Sequence, residues 1–202
     1  MLDSEQISLT QSALLVIDVQ NSFLVGERWA RHSNLHFEER LAQIVELYRK
    51  ARLPIIFILH HDQDPGFRVG DHEVALMAFL DRRSYEPLLY KHTRNCFTST
   101  MLLPLLLERG VRRLLITGIQ TEQCCETTAR LAADYGFAVD FVTECTRTFP
   151  IPNWDRAGEE LDTDAIIERT EYALHRRFAR IRTVREIAEE LAIHTPGSIA
   201  SI

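Results

Sequence analysis

Short, unbroken apolar runs alternate along this chain with longer segments whose apolar positions recur every three or four residues. Ala13-Leu14-Leu15-Val16-Ile17 is continuous, the pattern of a strand covered on both faces. Residues 38–52 instead place Leu41, Ile44, Val45 and Tyr48 on one helical stripe, and Pro54 closes that helix. Ile55-Ile56-Phe57-Ile58-Leu59 is the next buried strand. A helix is predicted over 71–82, a short strand at Leu88-Leu89-Tyr90, and a helix over 98–109 with Pro104 in its interior and Gly110 as its stop. Leu114-Leu115-Ile116-Thr117 is a strand, 122–135 a helix stopped by Gly136, and Ala138-Val139-Asp140-Phe141-Val142 a strand. The pattern closes with a helix over 163–176, a strand at Phe178-Ala179-Arg180-Ile181 and a helix over 183–192. The tail Thr195-Pro196-Gly197-Ser198 has no pattern and is expected to be loose.

Strand and helix alternating at this spacing make βαβ units. These predict an α/β fold: a parallel sheet with helices on both faces, in a single domain spanning 1–202 with its core at about 12–190. Ligands of such sheets bind beyond the carboxyl ends of the strands. That rule selects Asp18 after the first strand, His60, His61 and Asp62 after the second, and Lys91 after the short Leu88–Tyr90 run. It also selects Gly118 to Cys124 after the central strand, and Glu144 and Cys145 after the next.

Composition removes several alternatives. The 202 residues are 46% apolar and carry a net charge of −6. Such a surface repels phosphate backbones, so nucleic acid is not an expected partner. The longest nearly unbroken apolar run, Met101 to Leu107, is far shorter than the roughly 20 residues of a membrane span. Met1 to Gln6 lacks the basic and apolar regions of a secretory signal. A cytoplasmic location is therefore expected, with Cys96, Cys124, Cys125 and Cys145 as free thiols.

Of these four, Cys124 has the most chemical context. The strand ends at Gly118, Thr121 is an N-cap residue type, and Cys124 falls in the first helical turn. A helix N-terminus offers free N–H groups and partial positive charge. Both favour thiolate, so the Cys124 pKa is expected to fall, and neighbouring N–H groups could hold an oxyanion. Cys125, rotated by about 100° around the helix, continues with Ala129 and Ala132 as a packing side. Cys96 and Cys145 are also expected to pack. Asp18 is a candidate general base and Lys91 a candidate partner for both.

The motifs Asp18-Val19-Gln20-Asn21, Lys91 followed by Phe97, and Gly118-x-x-Thr121-x-x-Cys124-x-x-x-Thr128-Ala129-Arg130 resemble the isochorismatase-like cysteine hydrolases, relatives of nicotinamidase and N-carbamoylsarcosine amidase. The resemblance runs from about residue 12 to about residue 190. It implies a three-layer α/β/α domain with a six-stranded parallel sheet of Rossmann-like order and an Asp–Lys–Cys triad at Asp18, Lys91 and Cys124. It further implies an oxyanion hole from the backbone N–H groups of Gln120 and Cys124, with a cis peptide between Ile119 and Gln120. No cofactor is implied. The expected partners are a small-molecule substrate and further copies of this chain, as a dimer or larger. The sequence departs from the common pattern at Cys125, at Asn95-Cys96-Phe97 and at Glu144, which leaves the substrate open.

Nicotinamidases of this family bind a metal through an Asp-x-His pair and a further histidine. The stretch His60-His61-Asp62-Gln63-Asp64 lacks that spacing, so no metal is expected, although its two histidines and two aspartates are ligand types. One histidine is expected to line the substrate pocket with Phe23, Trp29 and Phe97, and Trp154 falls in an irregular stretch over 149–160. The expected activity is hydrolysis of a small amide or ureido C–N bond through a thioester. A vinyl-ether hydrolase, which in this family dispenses with the cysteine, and a thiol redox or oligomeric binding protein are the alternatives.

Overall fold

A computed structural model describes residues 7–194. The segments Met1 to Gln6 and Thr195 to Ser198 lie outside the described residues. Six strands form one parallel sheet. In chain order they are β1 (Ser12–Ile17), β2 (Ile55–His60), β3 (Leu88–Lys91), β4 (Arg113–Ile119), β5 (Ala138–Arg147) and, after a small hairpin, β8 (Arg180–Ile181). The spatial order is β3-β2-β1-β4-β5-β8. Chain direction across the sheet reverses beside β1, so the crevice at the carboxyl ends of β1 and β4 is the switch point where such sheets bind ligands. The hairpin pairs β6 (Ile151–Pro152) with β7 (Glu160–Leu161) inside the stretch that the sequence left irregular, and Trp154 near its tip is 89% exposed.

Strands β1, β2 and β4 are buried along their whole length, which is why their sequences are continuous apolar runs. Alternation sorts them between two cores. Leu14 and Val16 face helices α1 (Phe37–Lys50) and α5 (Val184–His194), while Ala13, Leu15 and Ile17 face α2 (Leu102–Glu108), α3 (Glu126–Asp134) and α4 (Thr163–Leu174). In α1 the buried stripe is Phe37, Leu41, Ile44, Val45 and Tyr48. Acidic Glu38 and Glu39 open that helix and basic Arg49 and Lys50 close it, each matching the end of the macrodipole. α4 begins on Asp162, whose side chain accepts the Ala165 N–H at 2.9 Å.

Two predicted helices are corrected. Residues 71–82 form turns. Asp71 Oδ2 accepts the N–H groups of Gly66 and Arg68, and Asn21 and Met77 hydrogen-bond with Ala75 and Val19 across the loop after β1. The backbone groups a helix would use internally are thus spent on a neighbouring segment. The apolar spacing is met by burying Met77 and Leu80 against the α1 core. The helix predicted over 98–109 is only α2, because Asn95 Oδ1 takes the N–H groups of Phe97 and Thr98 and holds the preceding segment in a turn. Pro104 thereby falls in the first turn of α2, where its missing N–H has no intrahelical partner to lose.

The outer part of the sheet is tied by a buried ionic cluster. Arg113 Nε donates to Asp140 Oδ2 at 2.6 Å, and Arg113 Nη1 donates to Glu190 Oε1 of α5 at 2.6 Å and to the Ile7 carbonyl at 3.0 Å. Arg180 Nε donates to Asp140 Oδ1 at 2.9 Å. One aspartate therefore joins β4, β5 and β8. Removing one member strands the others in low dielectric. Asp140→Ala is expected to lose roughly 3–5 kcal/mol of unfolding free energy in urea titrations, whereas the exposed Arg185→Ala should move it by no more than about 0.5 kcal/mol.

Candidate active site

The carboxyl ends of three strands converge at the switch point. Asp18 follows β1 in a left-handed conformation (φ 54°) and donates its N–H to the Ile58 carbonyl at 2.8 Å. Its neighbour across the sheet is tightly constrained. Gly118 pairs with Ile17, and a Cβ at Gly118 would lie 2.0 Å from the Ile17 carbonyl oxygen, so only glycine lets β4 run this close to β1. Lys91 ends β3, and its carbonyl accepts the His61 N–H at 2.9 Å. β4 ends at Ile119, and the Ile119–Gln120 peptide is cis.

The turn after β4 is not an ordinary helix start. The Gln120 carbonyl accepts the N–H groups of Gln123 and Cys125, both at 3.2 Å, so Thr121–Cys125 forms a π turn ahead of α3. Thr121 does not cap it. The cap position is Gln120, without a side-chain bond, and Thr121 Oγ1 donates to Thr146 Oγ1 at 2.8 Å. Thr146 can reach because β5 bulges: Phe141 pairs with Ile116, but Thr146 pairs with Gly118. Thr128 Oγ1 bonds the Cys124 carbonyl at 2.6 Å and accepts the Cys96 N–H at 3.2 Å, joining the Cys124 turn to the segment after Lys91.

These elements bring Asp18, Lys91 and Cys124 together. Lys91 Nζ lies 2.7 Å from Asp18 Oδ2, 3.4 Å from Cys124 Sγ and 3.1 Å from His60 Nδ1. The ammonium thus has hydrogen-bond contacts with Cys124 and His60 and an ion pair with Asp18. Asp18 and Lys91 are fully buried and Cys124 is 5% exposed. Burial alone would favour the neutral amine, but the charge of the Asp18 carboxylate outweighs it and holds Lys91 above the ordinary lysine range. Burial first, and then the charge of Lys91, hold His60 below the ordinary histidine value.

Cys124 departs from the sequence expectation. Burial, followed by the charge of Asp18, pushes its thiol well above the ordinary cysteine range, and the opposing pull of Lys91 does not compensate. Asp18 and Lys91 already cancel, so a thiolate would leave one uncompensated negative charge in an apolar site. Cys124 is therefore held as a thiol beside the Asp18 carboxylate. Burial likewise pushes the Cys96 thiol up to about 12 and raises Cys125 and Cys145 well above their ordinary value. All four cysteines are free and buried.

Of the two histidines, His60 enters the site and His61 turns away to lie 5.9 Å from the His92 ring. His60 Nε2 is 3.2 Å from Asp62 Oδ2, and Asp62 Oδ1 accepts the Asp64 N–H. Among the described residues no group of three His, Cys, Asp or Glu side chains converges as metal ligands would.

Phe23 is 5.2 Å from Phe67 and 5.8 Å from Phe149, and Trp29 is 6.2 Å from Phe149. Phe67 in turn is 6.2 Å from His60, so an aromatic wall runs up to the His60–Lys91 contact. Phe97 is not part of it. Its ring packs against Tyr135 and Phe137 at 5.1 and 6.3 Å, in the core beneath α2 and α3. Sequence reasoning missed Phe67, Phe149 and Gln20. Gln20 clamps His60 from both sides, its Oε1 accepting the His60 N–H at 2.7 Å and its Nε2 donating to the His60 carbonyl at 2.9 Å. Its place two residues after Asp18 in the first motif was the available signal.

A family model described as the isochorismatase domain matches residues 12–172. The isochorismatase family protein YrdC of Bacillus subtilis, whose function is uncharacterized, is 26% identical over 89% of this chain and 96% of its own length. Nicotinamidase 3 of Arabidopsis thaliana is 30% identical, with 68% of this chain and 74% of its own covered. A crystal structure of an isochorismatase-family protein from Chromobacterium violaceum superimposes with a TM-score of 0.84 at 26% identity, covering 93% of this chain and 96% of the other. Fold, switch-point geometry and these matches agree, and the chain belongs to the isochorismatase family of hydrolases.

Proposed function

We propose that this protein is a cysteine-dependent hydrolase of a small-molecule amide or ureido C–N bond. The observation that carries the reading is the buried contact set in which Lys91 Nζ stands 2.7 Å from Asp18 Oδ2 and 3.4 Å from Cys124 Sγ. Asp18 takes the thiol proton as Sγ attacks the substrate carbonyl carbon. The backbone N–H groups of Gln120 and Cys124 receive the oxyanion. Asp18 passes the proton to the leaving nitrogen, the C–N bond breaks and a thioester remains. Water then gives a proton to Asp18 and attacks the thioester, releasing the acid and returning the proton to sulfur. Lys91 stays charged throughout and steadies Asp18 and the developing negative charge on sulfur. Phe23, Trp29 and His60 line the approach.

The reading extends to a cytoplasmic homo-oligomer that binds neither membrane nor nucleic acid. The free thiols fit a reducing compartment, the net charge of −6 disfavours phosphate backbones, and no helix among the described residues is long and apolar enough to cross a membrane.

Cys124→Ala is expected to lower kcat/KM on a small-amide panel, scored by ammonia release, by at least about 10³-fold. Cys125→Ala, which alters only a packed residue, should retain most activity; the reverse pattern would remove the triad assignment. The raised thiol pKa sets a second test. The thiolate fraction grows about tenfold per pH unit below the pKa, so iodoacetamide labelling of Cys124, read by peptide mass, should keep accelerating from pH 7 past pH 9. A plateau at neutral pH would indicate a preformed thiolate. Third, the triad chemistry uses no ion. Prolonged dialysis against EDTA should leave turnover unchanged, and loss restored by zinc, iron or manganese would reverse that expectation.

A further inference from the structure

The amino end of the sheet carries a cavity of its own. Its volume is about 370 Å³, at the small end of the range for ligand pockets, roughly 300–1,000 Å³. Ile55, the first residue of β2, lines it, whereas His60 at the far end of the same strand meets Lys91. The strand between them spans roughly 16 Å, so this cavity is separate from the site at the carboxyl ends. Leu53, Pro54 and Pro87 give it apolar walls, and the exposed Tyr85 ring also lines it.

Three of the nine lining residues are arginines and one is a glutamate. Arg49 and Glu86 neutralise one another. Arg49 Nε and Nη2 donate to Glu86 Oε1 and Oε2 at 2.8 and 2.9 Å, and Arg49 Nη1 donates to Glu46 Oε1 at 2.7 Å. Glu86 Oε2 also accepts the Arg83 N–H at 2.8 Å. The other two arginines, Arg52 and Arg109, line the same cavity, and among the described residues neither side chain has a hydrogen-bond or ion-pair partner. The lining therefore holds an excess of two positive charges in a chain whose net charge is −6.

The backbone at Arg52 is a second, independent sign. Arg52 follows the end of α1 in left-handed backbone (φ 56°), a conformation that glycine takes without strain and arginine rarely adopts. A basic side chain near a helix C-terminus suits the macrodipole, but Arg49 and Lys50 already meet that need from within the last turn. An arginine at this position, facing no carboxylate, is suited to an anion that arrives from solution.

We propose that this cavity binds a small aryl phosphate monoester, its phosphoryl group held by Arg52 and Arg109 and its ring against Tyr85 and the proline walls. A phosphoryl group carries close to two negative charges at neutral pH and presents three terminal oxygens. Two guanidinium forks can engage it together, whereas a single fork already fills one carboxylate. The proposal is independent of the hydrolase reading, since none of its residues touches Asp18, Lys91 or Cys124.

Isothermal calorimetry on the full chain tests it, with phenyl phosphate, inorganic phosphate and isophthalate as probes. Phenyl phosphate should bind at one equivalent per chain and at least about tenfold more tightly than either of the others. Its binding should weaken as NaCl is raised. Arg109→Gln and Arg52→Gly should each weaken it by at least about tenfold. Arg52→Gly also relieves the left-handed backbone, so its thermal midpoint should not fall, which separates a lost ligand contact from lost folding. Tyr85→Ala should bring phenyl phosphate down to the level of inorganic phosphate. No heat of binding for phenyl phosphate at millimolar concentration would overturn the proposal, as would binding that survives both arginine substitutions, which would place the ligand elsewhere on the chain. Inorganic phosphate binding as tightly as phenyl phosphate would remove the aryl part, and isophthalate doing so would make the cavity a general dianion site; either result also overturns the proposal.

Discussion

A buried ammonium organises this molecule. Lys91 lies at the end of a short strand with its side chain withdrawn from solvent, and an ammonium there costs several kcal/mol unless its protons are matched. The three partners come from three other segments: Asp18 after β1, His60 at the end of β2 and Cys124 in the turn after β4. Satisfying one charge therefore sets how four chain segments meet at the switch point. The aromatic wall, the Gln20 clamp on His60 and the Thr128 bridge all hold pieces of that meeting in place.

The backbone gives way where the side chains require it. Asp18 adopts a left-handed conformation that a non-glycine residue rarely takes, the turn after β4 is a π turn instead of a capped α-helix, and β5 bulges to bring Thr146 to Thr121. Irregularities of this kind persist where the surroundings over-determine them, and here they cluster within one short stretch of the sheet edge. Away from the site, strands and helices keep regular geometry, and the Arg113–Asp140–Glu190 cluster fastens the outer part of the sheet independently.

Charge balance explains the protonation of Cys124. A helix N-terminus by itself favours thiolate, yet a carboxylate and an ammonium already neutralise one another around Cys124, and desolvation then decides for the thiol. In the proposed mechanism the acid and base roles therefore fall to Asp18.

Much of this was legible along the chain. Continuous apolar runs identified the central strands, since both sheet faces are covered, and the one-stripe spacing of Leu41, Ile44, Val45 and Tyr48 identified α1. Asp18, Lys91 and Cys124 were selected along the chain because Asp18 follows β1, Lys91 ends β3 and Cys124 lies in the turn after β4, and folding brings the three into contact. Other features depend on which groups meet across the fold. The segment 71–82 has helical spacing but spends its backbone bonds on the loop after β1. Phe97 follows Lys91 in the chain but packs against Tyr135 and Phe137, away from the aromatic wall. The Cys124 proton was misjudged because its pKa depends on burial and on a carboxylate remote in sequence. The sequence by itself determined the strand and helix periodicity and the residue types at the strand ends, which are local properties. Tertiary structure decided the π turn, which of His60 and His61 meets Lys91, and the protonation of Cys124, because desolvation and hydrogen-bond matching act only between groups that folding has brought together.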